Sequence, residues 1–383
     1  MHQCISIYPN KTQENTSSQI HEYIALAKLY GFNEVFTSIH LPEWSIEDQL
    51  NYLELIAEAA HQHNMELTAD IGGPFIRKVL QDESALLRIK NTRLDYLRLD
   101  YGYDFKQLET LYHLLNLKGF VINASMMKET EIKHHLEQFH QIDSAISIRA
   151  CHNFYVREES GLDSDFALSQ TQLFKKYGIP VYYCAPSYDH PRGPLCLGLP
   201  TLEHHRYQPL DFVLLELIHR FHADGILYSD EWMSENLFKL IQQVTKDNLI
   251  QISVILRGNL TEIEKRIVIS KHIFRYDSNQ NYLRSRSSRE MAEFAHKIVP
   301  DHCVERNAGC ITIDNERYLR YSGELQVVLQ DAKQDDRVNV VARLQNLSDL
   351  KKLAYFREGY TYELIEADEH LPQTIDKVDG LFL

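Results

Sequence analysis

The chain has 383 residues, of which 44% are hydrophobic and 25% are charged, and its formal net charge is −14. This composition is that of a soluble globular protein with one large domain and a smaller one, or with two to three domains. The negative charge argues against nucleic acid or an anionic membrane as a partner, because both are polyanions. No leader-like or membrane-spanning run is recognisable, so we expect the cytoplasm as its location.

Eight short β-rich runs alternate with helical patterns over the first two-thirds of the chain, at the spacing of strand–helix–strand units. This alternation predicts a closed (β/α)₈ TIM barrel. An open doubly wound sheet is the alternative, but no G-x-G-x-x-G follows the first strand. In chain order, the predicted strands are Ile5–Tyr8, Glu34–Ile39, Glu66–Ile71, Tyr96–Asp100, Phe120–Ala124, Ala145–Ala150, Val181–Ala185 and Gly225–Ser229.

The pattern changes after about Asp247, where strand-like runs follow one another without regular crossover helices. Such runs predict a separate, mostly antiparallel β domain. We therefore place a barrel domain at 1–247 and a β domain at 248–383. The predicted elements of the second domain are Ile252–Leu256, Lys271–Arg275, Cys310–Asp314, Leu325–Leu329 and Val338–Leu344, with one helix near Arg289–Lys297.

The cysteines of the chain indicate neither a zinc ribbon nor a disulfide framework, because none of them shows C-x-x-C spacing. Cys151 beside His152 is a weak candidate for a nucleophile and its base, since a strand sends neighbouring side chains to opposite faces. We expect no metal and no cofactor. The six cysteines are Cys4, Cys151, Cys184, Cys196, Cys303 and Cys310.

Polar side chains follow the predicted strands at their C-terminal ends, where barrels of this type gather their chemistry. Asp100 could also cap a helix or pair with a neighbour, and Asp70 could be an ordinary turn residue before two glycines. Several carboxylates converging on one mouth nevertheless favour a functional site. Substrate-binding candidates at these ends are Tyr8, Asn123, His152, Asn153, Tyr155 and Asp230, and the same ends carry His40, Arg98, Ser125 and Glu231.

The longest helix-free insert of the barrel lies between Cys184 and Pro209, and its length predicts a functional lid. Its polar residues include Glu203, His205 and Arg206. Adjacent histidines at 204–205 point to different sides of an extended chain, and no E-x-x-H or H-x-H accompanies them. A metal site there is therefore not favoured, and we assign His205 to substrate binding.

The chain resembles the bacterial 6-phospho-N-acetylmuramidase family over nearly its whole length. The motifs that carry the resemblance include M-H-Q-C-I-S-I-Y-P, L-R-L-D-Y-G, C-H-N-F-Y, G-L-P-T-L-E-H-H-R and D-N-E-R-Y-L-R-Y-S-G-E-L-Q-V. The resemblance implies a TIM barrel followed by a cyclophilin-like β-barrel domain. It also implies cytoplasmic hydrolysis of the β-1,4 bond of N-acetylmuramic acid 6-phosphate–N-acetylglucosamine during cell-wall recycling.

Glycoside hydrolysis needs a carboxylic acid to protonate the leaving oxygen and a second carboxylate that attacks or activates water. We expect Asp100 to be the nucleophile or base and Glu203 to be the acid, with its pKa raised by burial under the lid. Asp70 and Asp230 are reserves. Attack by the acetamide oxygen of the substrate, oriented by Asn123 or Asp100, is a further possibility that the sequence leaves open.

The 6-phosphate and the lactyl carboxylate of such a substrate need cationic donors, and arginine binds both groups bidentately. Arg157, Arg192, Arg206 and Arg275 are the candidates, although each alone is more commonly a surface residue. Because Arg275 belongs to the β domain, we expect that domain to contribute to the phosphate pocket.

Two other classes of protein stay open. A non-catalytic carbohydrate-binding barrel would need aromatic platforms but no carboxylate pair. An enzyme for another phosphosugar, such as a metal-dependent isomerase or an aldolase, would need a metal cluster or a lysine at a strand end, and no such lysine is present. The sequence gives no prediction of oligomeric state. The possible platforms are Tyr8, Phe36, Tyr101, Tyr155 and Trp232.

Overall fold

The computed structural model describes residues 1–9, 16–42, 44–292 and 297–367. The chain divides into two compact units, Met1–Gln242 and Gln243–Leu383. Within the described ranges, none of the helices is both long enough and apolar enough to cross a membrane.

The first unit is a closed barrel of eight parallel strands, in which each strand pairs with the next and the eighth pairs with the first. The predicted (β/α)₈ barrel is therefore confirmed. The strands are β1 (His2–Ser6), β2 (Glu34–Ser38), β3 (Glu66–Ile71), β4 (Tyr96–Leu99), β5 (Gly119–Asn123), β6 (Ser147–Cys151), β7 (Val181–Ala185) and β8 (Gly225–Tyr228). The helices are α1 (Ser17–Leu29), α2 (Ile46–Gln62), α3 (Gly73–Leu80), α4 (Glu83–Asn91), α5 (Phe105–Leu115), α6 (Glu129–Ile142), α7 (Ser164–Lys176), α8 (Leu210–His219) and α9 (Glu235–Thr245).

Every second residue of each strand points into the barrel. At the middle of the barrel these inward residues are mostly apolar and form a buried cluster. Cys4, Phe36, Val121, Cys184 and Leu227 belong to this buried cluster. The intervening residues face the surrounding helices. Inward positions beyond the middle layer therefore deliver their side chains to the C-terminal mouth.

The N-terminal end of the barrel is closed by charged side chains. Arg149 donates to Glu34 at 3.0 Å and to Glu66 at 2.8 Å, and its guanidinium lies 3.8 Å from the ring centroid of Tyr96. His2 lies 2.8 Å from the same Glu34 carboxylate. These groups form hydrogen bonds and ion pairs with one another, so we infer that this end of the barrel contributes to stability.

Four predicted strands have the limits found in the structure: Glu66–Ile71, Val181–Ala185, Cys310–Asp314 and Val338–Leu344. The limits predicted for the first strand are wrong, because β1 begins at His2. Polar residues concealed its start: Gln3 is buried, and its side-chain oxygen accepts a hydrogen bond from the Tyr228 hydroxyl at 2.9 Å. Gln3 thus occupies a buried strand position at which an apolar residue is normally expected, and its hydrogen bond with Tyr228 makes this possible.

The second unit contains a seven-stranded sheet in which all neighbouring strands are antiparallel except β15 and β9. The strand order is β10-β15-β9-β14-β12-β13-β11. The strands are β9 (Leu249–Leu256), β10 (Lys271–Ile273), β11 (Tyr282–Arg284), β12 (Cys310–Asp314), β13 (Leu325–Val328), β14 (Val338–Leu344) and β15 (Thr361–Glu366). The helices are α10 (Glu262–Val268), α11 (Ser288–Met291) and α12 (Asp349–Leu353).

The sequence missed β11, β15, α10 and α12, which are short or half-exposed and carry weak patterns. The helix expected near Arg289–Lys297 is present as α11, which ends at Met291. The part of that prediction at 293–296 lies outside the described residues.

Candidate active site

Arg98 is the centre of a buried polar network at the C-terminal mouth. The strand register sets Ser38, Asp70 and Arg98 side by side on β2, β3 and β4. The Arg98 guanidinium is buried and donates to Asp70 Oδ1 at 2.7 Å and to Asn153 Oδ1 at 2.5 Å. Asp70 and Asn153 therefore hold Arg98 in place, and their oxygens are already engaged.

Asp100, just after β4, lies between two cations. Its carboxylate is 3.7 Å from His40 Nε2 and 3.9 Å from Arg98 Nη1, and 32% of its side chain is exposed. The interaction with His40 lowers the pKa of Asp100, against the effect of burial, and Arg98 lowers it further. Asp100 is thus an ionised, accessible carboxylate at the mouth.

His40 responds in the opposite direction. Burial lowers its pKa, but the Asp100 and Asp70 carboxylates outweigh burial, so the pKa of His40 lies above its ordinary value. Its Nδ1 is 3.1 Å from the Asp70 carbonyl oxygen. Protonated His40 therefore supplies positive charge to Asp100 from a fixed position.

Glu231 is the second carboxyl group at the mouth, three residues after the end of β8. It is 5% exposed, and one oxygen accepts a hydrogen bond from the Tyr8 backbone N–H at 2.6 Å. Burial raises the pKa of Glu231 to about 7. In a ring of eight strands β8 lies across the barrel from β4, so Glu231 and Asp100 follow strands on opposite sides of the mouth.

Arg192 provides a cation on the loop between β7 and α8. Its guanidinium lies 3.4 Å from the ring centroid of Tyr8 and 5.9 Å from that of Phe154. It is close enough to Glu231 and Asp230 to oppose the effect of burial on their pKa values. Among the described residues, no carboxylate forms an ion pair with the Arg192 side chain.

Asp230 anchors the beginning of this loop. It is fully buried and accepts backbone hydrogen bonds from Ser187 at 2.9 Å and from Arg192 at 3.1 Å. Burial raises the pKa of Asp230. The substrate-binding role predicted for Asp230 is not what these contacts favour, because they position the loop that carries Arg192.

Glu203 and Arg206 form an ion pair that ties two loops together. Arg206 Nε lies 2.6 Å from Glu203 Oε1, and Glu203 also accepts a hydrogen bond from Gly161 N–H at 2.7 Å. Burial raises the pKa of Glu203, but Arg206 and backbone donors outweigh it, so the net shift is downward. The expectation of a raised pKa for Glu203 is wrong.

Arg206 is likewise occupied. It is 5% exposed and donates to the carbonyl oxygens of Tyr155, Arg157, Leu197 and Gly198. A phosphate group would have to displace these bonds together with the Glu203 carboxylate. The phosphate-binding role predicted for Arg206 therefore disagrees with its surroundings.

His152 does not face the mouth, and this orientation does not favour the expected role in orienting substrate hydroxyls. It is fully buried between Ser125 Oγ at 3.2 Å and Thr171 Oγ1 at 3.4 Å, and burial lowers its pKa to about 3. The strand alternation explains this placement: Cys151 points into the barrel and His152 out of it.

His204 and His205 do not diverge as an extended chain would require. A short 3₁₀ turn at Glu203–His205 brings both rings to one oxygen of Glu216, at 2.6 Å for His204 and 2.9 Å for His205. His205 is fully buried, and burial lowers its pKa to about 4. These surroundings do not favour the predicted contact of His205 with substrate.

The remaining candidates lie in different surroundings. Asn123 is buried and accepts a hydrogen bond from Ser125 N–H at 2.9 Å, and Tyr155 is half-buried. Arg157 is exposed. Arg275 belongs to the second unit, where it contacts Asp277 and Glu324; those contacts are described below. Of the aromatic candidates, Tyr8 and Phe36 are buried, Trp232 is partly buried and Tyr101 is 59% exposed.

Some loops at the C-terminal end of the barrel have a strained backbone. Five non-glycine residues there adopt a positive φ: 62° at Glu159, 61° at Tyr188, 54° at Cys196, 63° at Tyr207 and 54° at Trp232. Such conformations cost on the order of 1 kcal/mol or more each and cluster at functional sites.

The sequence named the strand ends but assigned no role to His40, Arg98 or Glu231. Their positions after β2, in β4 and after β8 were the available signal. Their roles depend on partners distant along the chain, such as the Tyr8 N–H that contacts Glu231 from 223 positions away.

A TIM barrel with ionised and protonatable carboxyl groups and a free arginine at its mouth has the features of a sugar-processing enzyme. The family model described as "6-phospho-N-acetylmuramidase, N-terminal" matches residues 4–243, and its C-terminal counterpart matches residues 250–365. The chain therefore belongs to the 6-phospho-N-acetylmuramidase family, and it is a glycosidase.

Two solved structures are similar over nearly the whole chain. A conserved Enterococcus faecalis protein of unknown function is 28% identical, with 96% of each chain covered and a TM-score of 0.75. An uncharacterized B. cereus protein is 24% identical, with 95% of this chain and 99% of that chain covered and a TM-score of 0.71; this likeness shows the fold. No curated protein matches the chain.

If Glu203 ties the loops together, Glu203→Gln should destabilise the protein by on the order of 3 kcal/mol, because Arg206 loses its buried counter-charge. Urea unfolding measures this change, and Glu159→Gln is the control because Glu159 is an exposed carboxylate of a neighbouring loop. A variant as stable as the control would contradict the structural role of the ion pair.

Proposed function

We propose that the protein hydrolyses the β-1,4 bond of N-acetylmuramic acid 6-phosphate–N-acetylglucosamine. The observation that carries the proposal is the opposite tuning of two carboxyl groups at the mouth. The pKa of Asp100 is lowered and that of Glu231 is raised to about 7. In glycosidases, two carboxyl groups whose pKa values are shifted apart in this way typically act as the acid and as the nucleophile or base.

Asp100 acts as the nucleophile or base in this proposal. Protonated His40 and Arg98 keep it ionised, and its exposed fraction leaves room for the anomeric carbon or for a water molecule. If the acetamide oxygen of the substrate attacks instead, Asp100 or Asn123 orients the acetamide N–H. The same ionised carboxylate thus serves each route.

Glu231 acts as the general acid. A group that must hold a proton near neutral pH needs a raised pKa, and burial supplies that shift at Glu231. Glu203 is disfavoured for this role because its ion pair with Arg206 stabilises the charged form. The assignment of Glu203 as the acid stays a prediction that the experiment below separates from that of Glu231.

Arg192 binds the phosphate or the lactyl carboxylate of the substrate. Its guanidinium lies over the Tyr8 ring, 3.4 Å from the centroid, and no carboxylate within the described ranges forms an ion pair with it. A planar guanidinium presents paired donors to such an anion. Exposed Arg157 is the second candidate.

The further properties implied by the resemblance stay predictions. They are the cytoplasmic location, the part in cell-wall recycling and the cyclophilin-like relationship of the second unit. Substrate contacts by Tyr8, Asn153 and Tyr155 are likewise proposals.

The acid role can be separated from the nucleophile or base role by the leaving group. With the natural disaccharide, Glu231→Gln and Asp100→Asn should each lower kcat by about 10²–10⁴-fold. 4-Nitrophenolate is a leaving group that needs no protonation. A 4-nitrophenyl glycoside of N-acetylmuramic acid 6-phosphate should therefore restore turnover in Glu231→Gln but not in Asp100→Asn.

Glu203→Gln is the matched control for the acid assignment. We expect it to keep the same preference between the two leaving groups as the wild-type protein. Restoration of turnover in Glu203→Gln rather than in Glu231→Gln would transfer the acid role to Glu203. Normal hydrolysis of the disaccharide by Asp100→Asn would remove Asp100 from the reaction.

Phosphate recognition is tested by comparing the phosphorylated and unphosphorylated disaccharides, with a chelator present. The wild-type protein should prefer the phosphorylated substrate in kcat/KM, and Arg192→Gln should lower this preference by about tenfold or more, because a charge-assisted contact is lost. Arg157→Gln tests the second candidate in the same way. Arg93→Gln is the control, since Arg93 is an exposed arginine between α4 and β4. Equal rates of the wild-type protein on both substrates would contradict the proposal, and binding without hydrolysis would indicate a carbohydrate-binding protein.

A further inference from the structure

Three arginines of the second unit surround one buried glutamate. Glu324, immediately before β13, is 1% exposed at its side chain and lies 3.1 Å from Arg275 Nη1, 2.5 Å from Arg284 Nη2 and 3.7 Å from Arg289 Nε. Asp277 contacts Arg275 at 2.6 Å and Arg284 at 3.5 Å. Three guanidinium groups thus meet two carboxylates that form ion pairs.

Arg289 is the member of this cluster with unused donors. Only its Nε faces Glu324, at a distance longer than a hydrogen bond, and its guanidinium lies 5.7 Å from the ring centroid of Tyr321. Among the described residues, its two terminal nitrogens have no hydrogen-bond partner. The Arg289 side chain is 37% exposed, so a ligand from solution can reach it.

Asp314, at the end of β12, adds an unpaired carboxyl group next to the same glutamate. It is 6% exposed, and within the described ranges no side chain or backbone N–H donates to its carboxylate. Burial, followed by the charge of Glu324, raises its pKa to about 7. A buried carboxyl group without a partner is a candidate for contact with a ligand.

The connection between Asp314 and Glu324 is also strained. Leu319 has a φ of 55° and a ψ of −119°, and it is 80% exposed although it is a large apolar residue. This conformation is unfavourable for leucine, and no packing of its side chain compensates for it. Strain of this kind is concentrated at ligand-binding segments.

We propose that the second unit binds a phosphorylated sugar, with the phosphate on Arg289 and a sugar hydroxyl on Asp314. Glu324 holds the arginines in place. The three guanidinium groups outnumber the two carboxylates that pair with them, which leaves positive charge for a phosphate group. The inference rests on the second unit alone and does not depend on the hydrolysis proposed for the barrel.

Isothermal titration calorimetry of the full chain tests this site. The titrations use N-acetylglucosamine 6-phosphate, inorganic phosphate and N-acetylglucosamine, and they are made in an Arg192→Gln background to remove the anion site proposed for the barrel. We expect one molecule of the phosphosugar to bind, more tightly than inorganic phosphate, and no binding of the unphosphorylated sugar.

Arg289→Gln should weaken phosphosugar binding by about tenfold or more, and Arg289→Lys should weaken it less because it keeps the charge. Arg320→Gln is the control, since Arg320 is an exposed arginine whose side chain contacts Tyr321. Thermal unfolding of each variant checks that the fold is kept. Asp314→Asn gives a second, independent change at the same site.

Three results would overturn the proposal. The first is unchanged phosphosugar binding in both Arg289→Gln and Asp314→Asn. The second is no binding of phosphosugar at millimolar concentration by the folded protein. The third is equal affinity for phosphosugar and inorganic phosphate, which would leave an anion site without sugar recognition. All three results are measurements of binding and none of them measures hydrolysis, so they can fail or succeed independently of the function proposed for the barrel.

Discussion

A guanidinium buried at the mouth of the barrel is the constraint on which the rest of the site depends. Arg98 cannot be placed there without hydrogen-bond and charge partners, because an unpaired buried cation is strongly destabilising. Asp70 and Asn153 supply those partners at 2.7 Å and 2.5 Å. Their engagement joins β3, β4 and the segment after β6, and it leaves Asp100 as the carboxylate of this group that faces solution.

The surroundings of the mouth shift the pKa values of the two carboxyl groups that the proposed reaction needs in opposite directions. On the β4 side, His40 and Arg98 favour the charged form of Asp100. On the β8 side, burial favours the neutral form of Glu231, and the Tyr8 backbone N–H and the charge of Arg192 only partly oppose it. The loops that border the mouth are held by Asp230 and by other buried charges, so charge is used for support as well as for chemistry.

The barrel could be predicted because its alternation of apolar strands and helices is local, and the strand ends identified the right segment of each unit. The assignment of roles within those segments could not be predicted, because it depends on partners. Glu203 and Arg206 lie three positions apart, and the turn between them converts a proposed acid and a proposed phosphate ligand into an ion pair. Glu231 gains its proposed role from burial beside Tyr8, 223 positions away.

Strand alternation already implied that His152 points away from its neighbour Cys151, but only the structure shows which of the two faces the barrel interior.

The pH dependence of kcat/KM for the phosphorylated disaccharide tests the central claim most directly. Activity should fall as the pH drops through the pKa of Asp100, which lies below its ordinary value, and should fall again as the pH rises through the pKa of Glu231, about 7. In His40→Asn the acidic limb should move to higher pH, because Asp100 loses a positive neighbour, while the alkaline limb stays in place. A profile that stays flat up to about pH 9, or an acidic limb unmoved in His40→Asn, would contradict the account.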